Sequence, residues 1–162
     1  MNSQYGVRRP WADKFIAQAK VILGPHTIEA DESIDIREAT DLIVWDKLYV
    51  AFRMRKNKYF IQYPNDFTLR SQIGTRSVTE FEKIMYGHGD MLLYGFSDRK
   101  AKEIIKWTLI DLDVFRDAYI HRDTTKVKSH DINNHDGTWF KAFEIGSFPS
   151  NLVIETWTKV YE

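Results

Sequence analysis

Apolar residues recur at helical spacing at Trp11, Phe15, Ala19 and Ile22, between Pro10, which suits a helix entry, and Gly24-Pro25, which stops one. The spacing predicts a first amphipathic helix. Two β-branched and aromatic stretches follow, Ala39 to Trp45 and Leu48 to Arg55, joined by the two residues Asp46-Lys47. They predict an antiparallel hairpin. Strand side chains alternate, so Tyr49, Ala51, Arg53 and Arg55 share one face of the second strand while Val50, Phe52 and Met54 share the other.

Tyr59-Phe60-Ile61 and Phe67-Thr68-Leu69 read as short extended pieces on either side of the turn-like Pro64-Asn65-Asp66. Ser77-Val78-Thr79-Glu80 has the form of a capping box and predicts a helix from Val78 to Tyr86, stopped by Gly87. Met91 to Tyr94 is an apolar run of strand length. Ser97 caps a predicted helix through Lys106, Trp107 to Leu112 reads as a strand, and Asp113 to Ile120 as a short helix. The polar segment 121–136 reads as loop, Asp136-Gly137 as a turn, and Trp139 to Ile145 and Leu152 to Val160 as a closing hairpin. No repeat or low-complexity tract interrupts this order. It predicts one mixed α/β domain over 1–162, with α+β as the neighbouring class: a mixed sheet flanked by helices, with parallel crossovers around the Met91 strand.

A chain of 162 residues with 43% hydrophobic and 14% aromatic content has material for a packed core, which excludes intrinsic disorder. The absence of cysteine excludes disulfides, thiolate metal sites and cysteine nucleophiles, and makes the cytoplasm the default compartment. No apolar run approaches the roughly 20 residues that span a bilayer, so no membrane partner is expected. Twenty-three bases balance 23 acids, so any polyanion binding has to rest on local charge separation.

That separation exists. Between Ile28 and Asp46 stand seven acids and one base, a net of −6, and between Arg53 and Arg76 six bases and one acid, a net of +5. The hairpin brings the two segments together. Carboxylates hold hard cations such as Mg²⁺, arginines clamp phosphates bidentately, and Tyr59, Phe60, Tyr63 and Phe67 offer faces on which bases stack. Arg53, Arg55, Lys56, Lys58, Arg70 and Arg76 are therefore the candidate nucleic-acid contacts. Asp41 stands inside an apolar strand sequence, where Asp is depleted, and marks the candidate metal site with Glu38 and Asp35. Solvated acidic and basic surface, or a cross-strand Asp–Arg pair contributing less than about 1 kcal/mol, accounts for the same residues without a site.

The order helix, strand with Asp41, a following strand ending in charge, helix and strand resembles the core of the PD-(D/E)XK, or restriction-endonuclease-like, nucleases over about 11–96. The resemblance implies a restriction-endonuclease-like fold and Mg²⁺-dependent phosphodiester hydrolysis, with Asp41 as the metal-binding Asp. The chain departs from the family where Arg53-Met54-Arg55 stands in place of Glu-x-Lys. Arginine neutralises phosphate but neither ligates a cation nor shuttles protons, so the second carboxylate has to come from Glu38, Asp35 or Glu80. The runs Ala39-Thr40-Asp41-Leu42, Tyr63-Pro64, Phe67 to Ser71 and Asn134 to Thr138 also resemble uncharacterised phage and bacterial proteins, which implies no activity.

Other constellations are thinner. His130 and His135 beside Asp131 and Asp136 lack HxxxH or HExxH spacing, and Gly87-His88-Gly89-Asp90 lacks the Lys of a P-loop and reads as a helix stop. No serine has a G-x-S-x-G context. Three functions remain: a Mg²⁺-dependent nuclease using Asp41, Glu38, Arg53 and Arg55; a non-catalytic module binding nucleic acid or protein on the same scaffold; and a small-molecule enzyme with a pocket invisible in sequence.

Overall fold

The computed structural model describes residues 11–38, 40–45, 47–73, 78–134 and 137–160, except the side chains of 35, 36, 38 and 73. A helical turn at 11–13 leads into α1 (Ile16–Leu23), followed by β1 (Thr27–Glu29), α2 (Glu32–Glu38), β2 (Leu42–Val44) and β3 (Leu48–Arg55). Next come α3 (Asn57–Gln62), β4 (Asp66–Ile73), α4 (Glu80–Met85), β5 (Met91–Ser97) and β6 (Ile104–Asp111). The chain closes with α5 (Leu112–Ile120), α6 (Arg122–Thr125), β7 (Ser129–Asn133), β8 (Thr138–Glu144), two 3-10 turns and β9 (Val153–Thr158). The class is mixed α/β. Six strands form one sheet in the order β1-β2-β3-β5-β6-β9, and three form a second in the order β4-β8-β7.

The predicted hairpin supplies the second and third strands of the larger sheet. Leu42 pairs with Val50 and Val44 with Leu48, and the chain reverses through Trp45, whose φ is 57°, with the Lys47 N–H donating to the Val44 carbonyl at 3.2 Å. On its other side β3 runs parallel to β5, from Val50 opposite Met91 to Arg55 opposite Phe96. All other pairings in both sheets are antiparallel.

The alternation in β3 divides the molecule into two cores. Val50, Phe52 and Met54 face Phe15 and Ala19, both fully buried on the first helical segment, with Leu42 and Leu93 beside them. Removing a side chain of Phe15's size from water is worth about 2–3 kcal/mol. Gly24, at φ 102°, stops this helix, as its place before Pro25 predicts. Ala51 and the β5 residues Leu92, Tyr94 and Phe96 face the second core, where Phe67, Phe115, Phe143 and Phe148 pack edge-on and stacked with ring centroids 5.0–6.2 Å apart.

Four expectations are corrected. The predicted helix from Ser97 to Lys106 does not form: residues 98–103 are a turn between β5 and β6, because the Asp98 carboxylate accepts the N–H groups of Lys100, Lys102 and Glu103 while Ala101 takes φ 52°. Ser97 instead ends β5, opposite Ile104. Tyr59-Phe60-Ile61 lies in a helix, not an extended piece. The segment 121–136 contains α6 and β7. The closing hairpin does not form: β8 pairs with β4 and β7, and β9 crosses to β6 of the other sheet. Among the described residues no helix is long and apolar enough to cross a membrane.

Candidate ligand pocket

The odd feature of β3 is that its last two inward positions are arginines. Arg53 and Arg55 lie on the face that carries Ala51, so both side chains enter the space between the sheets instead of solvent. The second sheet meets them with one face of β4 and β8: Arg70 stands opposite Phe140, Thr68 opposite Ala142, and Asp66 opposite Glu144. β7 extends that face, with His130 beside Ala142 and Ile132 beside Phe140.

Phe140, only 5% exposed, is the hub of a cationic cluster. The guanidinium carbons of Arg53, Arg55 and Arg70 lie 4.8, 5.6 and 5.7 Å from its ring centroid. A ring face attracts cations, by about 2 kcal/mol or more once water is excluded, but three positive charges still need anions. Glu80, at the start of α4, supplies one: its Oε2 accepts from Arg53 Nη1 and from the Arg70 N–H at 3.0 Å. Glu80 is therefore not the capping residue of that helix. The capping box is one step further along, with Thr79 Oγ1 accepting from the Glu82 N–H at 3.2 Å and Glu82 Oε2 accepting from the Thr79 N–H at 2.7 Å. Ser77 lies outside the described residues.

Arg55 is different. Among the described residues its guanidinium makes no hydrogen bond and no ion pair, and its Nε is buried without a partner. It is held by rings: the guanidinium carbon lies 4.1 Å from the centroid of Tyr59, four residues on in α3, whose other neighbour is Lys58 Nζ at 4.8 Å. Burial pushes the Arg55 pKa below its usual value, and the neighbouring Arg53 adds to this. An arginine stays protonated through such a shift.

Arg55 forms part of the wall of a cavity of about 240 Å³. Tyr94 from β5 and Thr68 from β4 meet there, their hydroxyl oxygens 3.3 Å apart, and burial holds the Tyr94 hydroxyl pKa above its usual value against the opposing pull of Arg55. Tyr59, Gln62 and Tyr63 of the α3 segment close one side, and Phe140, Ala142, His130 and Ile132 the other. Asp66, the first residue of β4, lies at the same cavity; burial raises its pKa, opposed by His130 and reinforced by Glu144. Lys106 fixes the turn before Asp66 by donating to the carbonyl of Pro64 and, at 3.4 Å, to Asn65 Oδ1.

No protein-family model matches the chain, and no curated protein matches it. The site rests on its own geometry.

The sequence-derived candidates are dispersed as follows. Arg53, Arg55 and Arg70 converge on Phe140, whereas Lys56 and Lys58 are exposed. Asp41 immediately precedes β2, and its Oδ2 accepts from the Phe52 N–H at 2.6 Å, while its backbone N–H donates to Val50. The carboxylate thus continues the β2–β3 ladder for one more donor, just ahead of the start of β2. The carboxylate that meets Arg53 is Glu80, not Asp41. Asp35 and Glu38 lie on α2 with their side chains outside the described residues, as do Arg76, His135 and Asp136 entirely. Among the described residues no group of three or more His, Asp or Glu side chains could hold a metal ion. Asp131 instead pairs with Lys141 at 2.8 Å.

Tyr94, Thr68, Asp66 and Gln62 escaped sequence reasoning. Arg55 and Tyr59 were each singled out in the sequence, but their contact needs the helix that replaces the expected extended piece, and the rest are ordinary strand and helix positions brought together by the packing of two sheets.

Proposed function

We propose that this protein binds a small anionic ligand, a carboxylate or phosphate group, in the cavity between its two sheets, with Arg55 as the principal contact. The observation that carries this reading is a half-buried arginine at the wall of a cavity, its Nε buried and its guanidinium without a hydrogen bond or ion pair among the described residues. A buried charge without a partner costs several kcal/mol, and an arginine fork is suited to planar or tetrahedral oxyanions. The nearby Tyr94 and Thr68 hydroxyls add donors of the kind such sites use. Calorimetric titration with inorganic phosphate and with short carboxylates tests it. Saturable binding that Arg55→Met weakens at least tenfold is the expected result. Binding unaffected by that substitution, or no binding of either anion at millimolar concentration, would overturn it.

A second reading, hydrolysis of a nucleic-acid phosphodiester at Asp41, is favoured by one observation. Asp41 opens the middle strand of the β1-β2-β3 meander, and β3 runs parallel to β5, an order compatible with the nuclease resemblance. Cleavage of single- or double-stranded DNA or RNA that needs Mg²⁺ and is lost in Asp41→Asn would favour it. Salt-sensitive binding without cleavage would point to the non-catalytic module instead.

A further inference from the structure

Resting on the anion site at Arg55, we infer that the ligand is dipolar: a free α-amino acid with an apolar side chain, its carboxylate on Arg55 and its ammonium group at Asp66.

Two opposite charges line one cavity. Among the described residues neither Arg55 nor Asp66 forms an ion pair, with each other or with anything else. They sit at the two ends of α3, Arg55 as the last residue of β3 and Asp66 as the first of β4. That helix is six residues, about 9 Å, long. The Asp66 N–H donates to the Tyr63 carbonyl and Lys106 anchors the intervening turn, so the backbone that carries the carboxylate is held at its end of the cavity. His130 is the other basic group on this wall; its charge favours the Asp66 carboxylate, but among the described residues no ion pair joins the two.

A bare anion would satisfy Arg55 but would meet the field of Asp66. A bare amine would satisfy Asp66 and be repelled by Arg55. A molecule carrying both charges neutralises both ends, and the low dielectric between the sheets strengthens each contact. The apolar wall of Phe96, Phe140, Ala142 and Ile132 receives the remainder of the ligand. A volume of about 240 Å³ lies just below the roughly 300 Å³ at which drug-sized pockets begin, which suits an amino acid.

The test is calorimetric titration of the full chain with the L-forms of alanine, valine, leucine and phenylalanine, each beside its deaminated acid and its decarboxylated amine, and with inorganic phosphate. At least one amino acid is expected to bind tenfold or more tighter than both of its analogues. Asp66→Asn should cut the ratio of amino-acid to deaminated-acid affinity to near one, weakening the amino acid and, with the repulsion by Asp66 gone, strengthening the acid. That ratio is read within one protein, so it does not depend on the variant's stability. Deaminated acids binding as tightly as all four amino acids, with Asp66→Asn changing nothing, would overturn the dipolar ligand and leave the anion site standing. Failure of every acid, amino acid and phosphate to bind would overturn both.

Discussion

The guanidinium carbon of Arg55 lies 4.1 Å from the ring centroid of Tyr59, so the residue that ends β3 is oriented by the first turn of the helix that follows it. The pair connects strand end, helix start and cavity. Tyr59→Leu should cost about 1 kcal/mol or more of stability from the lost cation–ring contact, and it should weaken anion binding because the fork is no longer oriented. Chemical denaturation together with phosphate titration checks both effects.

Arg55→Met has the opposite expected signature. Replacing a buried cation that has no carboxylate partner by an apolar side chain of similar length relieves desolvation, so the variant should be as stable as the parent or more so, by up to about 2 kcal/mol. Binding should be lost at the same time. A urea midpoint well below the parent's, with an unchanged slope, would make Arg55 a structural residue instead.

Glu80 is the counter-ion of the arginine cluster, with its side chain 21% exposed and that of Arg53 13% exposed. Glu80→Gln leaves Arg53 buried without its anion and weakens the acceptor for the Arg70 N–H, at an expected cost of about 3 kcal/mol. The double substitution Arg53→Met with Glu80→Gln should cost less than the sum of the two single ones. Unfolding free energies around this double-mutant cycle measure the coupling.

Asp41 extends the β2–β3 ladder through its side chain. Asp41→Ala strands the Phe52 N–H beside a buried strand and should cost about 2 kcal/mol, whereas Asp41→Asn keeps an acceptor and should cost about half as much. Equal stability of parent and Asp41→Ala in denaturant titration would mean that the carboxylate is held there for chemistry rather than for the fold.

Burial raises the Asp66 pKa above its ordinary 3.8. The folded state therefore holds this proton more tightly than the unfolded chain. The stability it contributes is complete below the unfolded pKa and is lost as pH rises through the higher folded value. Asp66→Asn should flatten this part of the profile and leave the variant relatively more stable at neutral pH. Unfolding free energies measured from pH 3.5 upward, parent against variant, read the difference, and a bound ammonium ligand should reverse it in the parent.

Local pattern carried much of the fold. The hairpin at 42–55, the strand at Met91, the helix at 112–120 and the stop at Gly24 follow from alternation, helical spacing and turn residues, which act over a few positions. The same alternation placed Arg53 and Arg55 together on the inner face of β3. Failures occurred where a side chain bonded the backbone, as Asp98 does in replacing a predicted helix by a turn, or where a partner strand lay far away in sequence, as for β8 and β9.

Sequence alone thus determined which residues are charged against an apolar background and which face of β3 they occupy, because side-chain direction alternates along any strand. Tertiary structure decided what those charges meet. Glu80 rather than Asp41 pairs with Arg53, and a cavity rather than a carboxylate faces Arg55, because the β4-β8-β7 sheet closes over β3 through pairings between residues as far apart as Asp66 and Glu144. Those pairings depend on the summed burial of both cores, which no short stretch of the chain specifies.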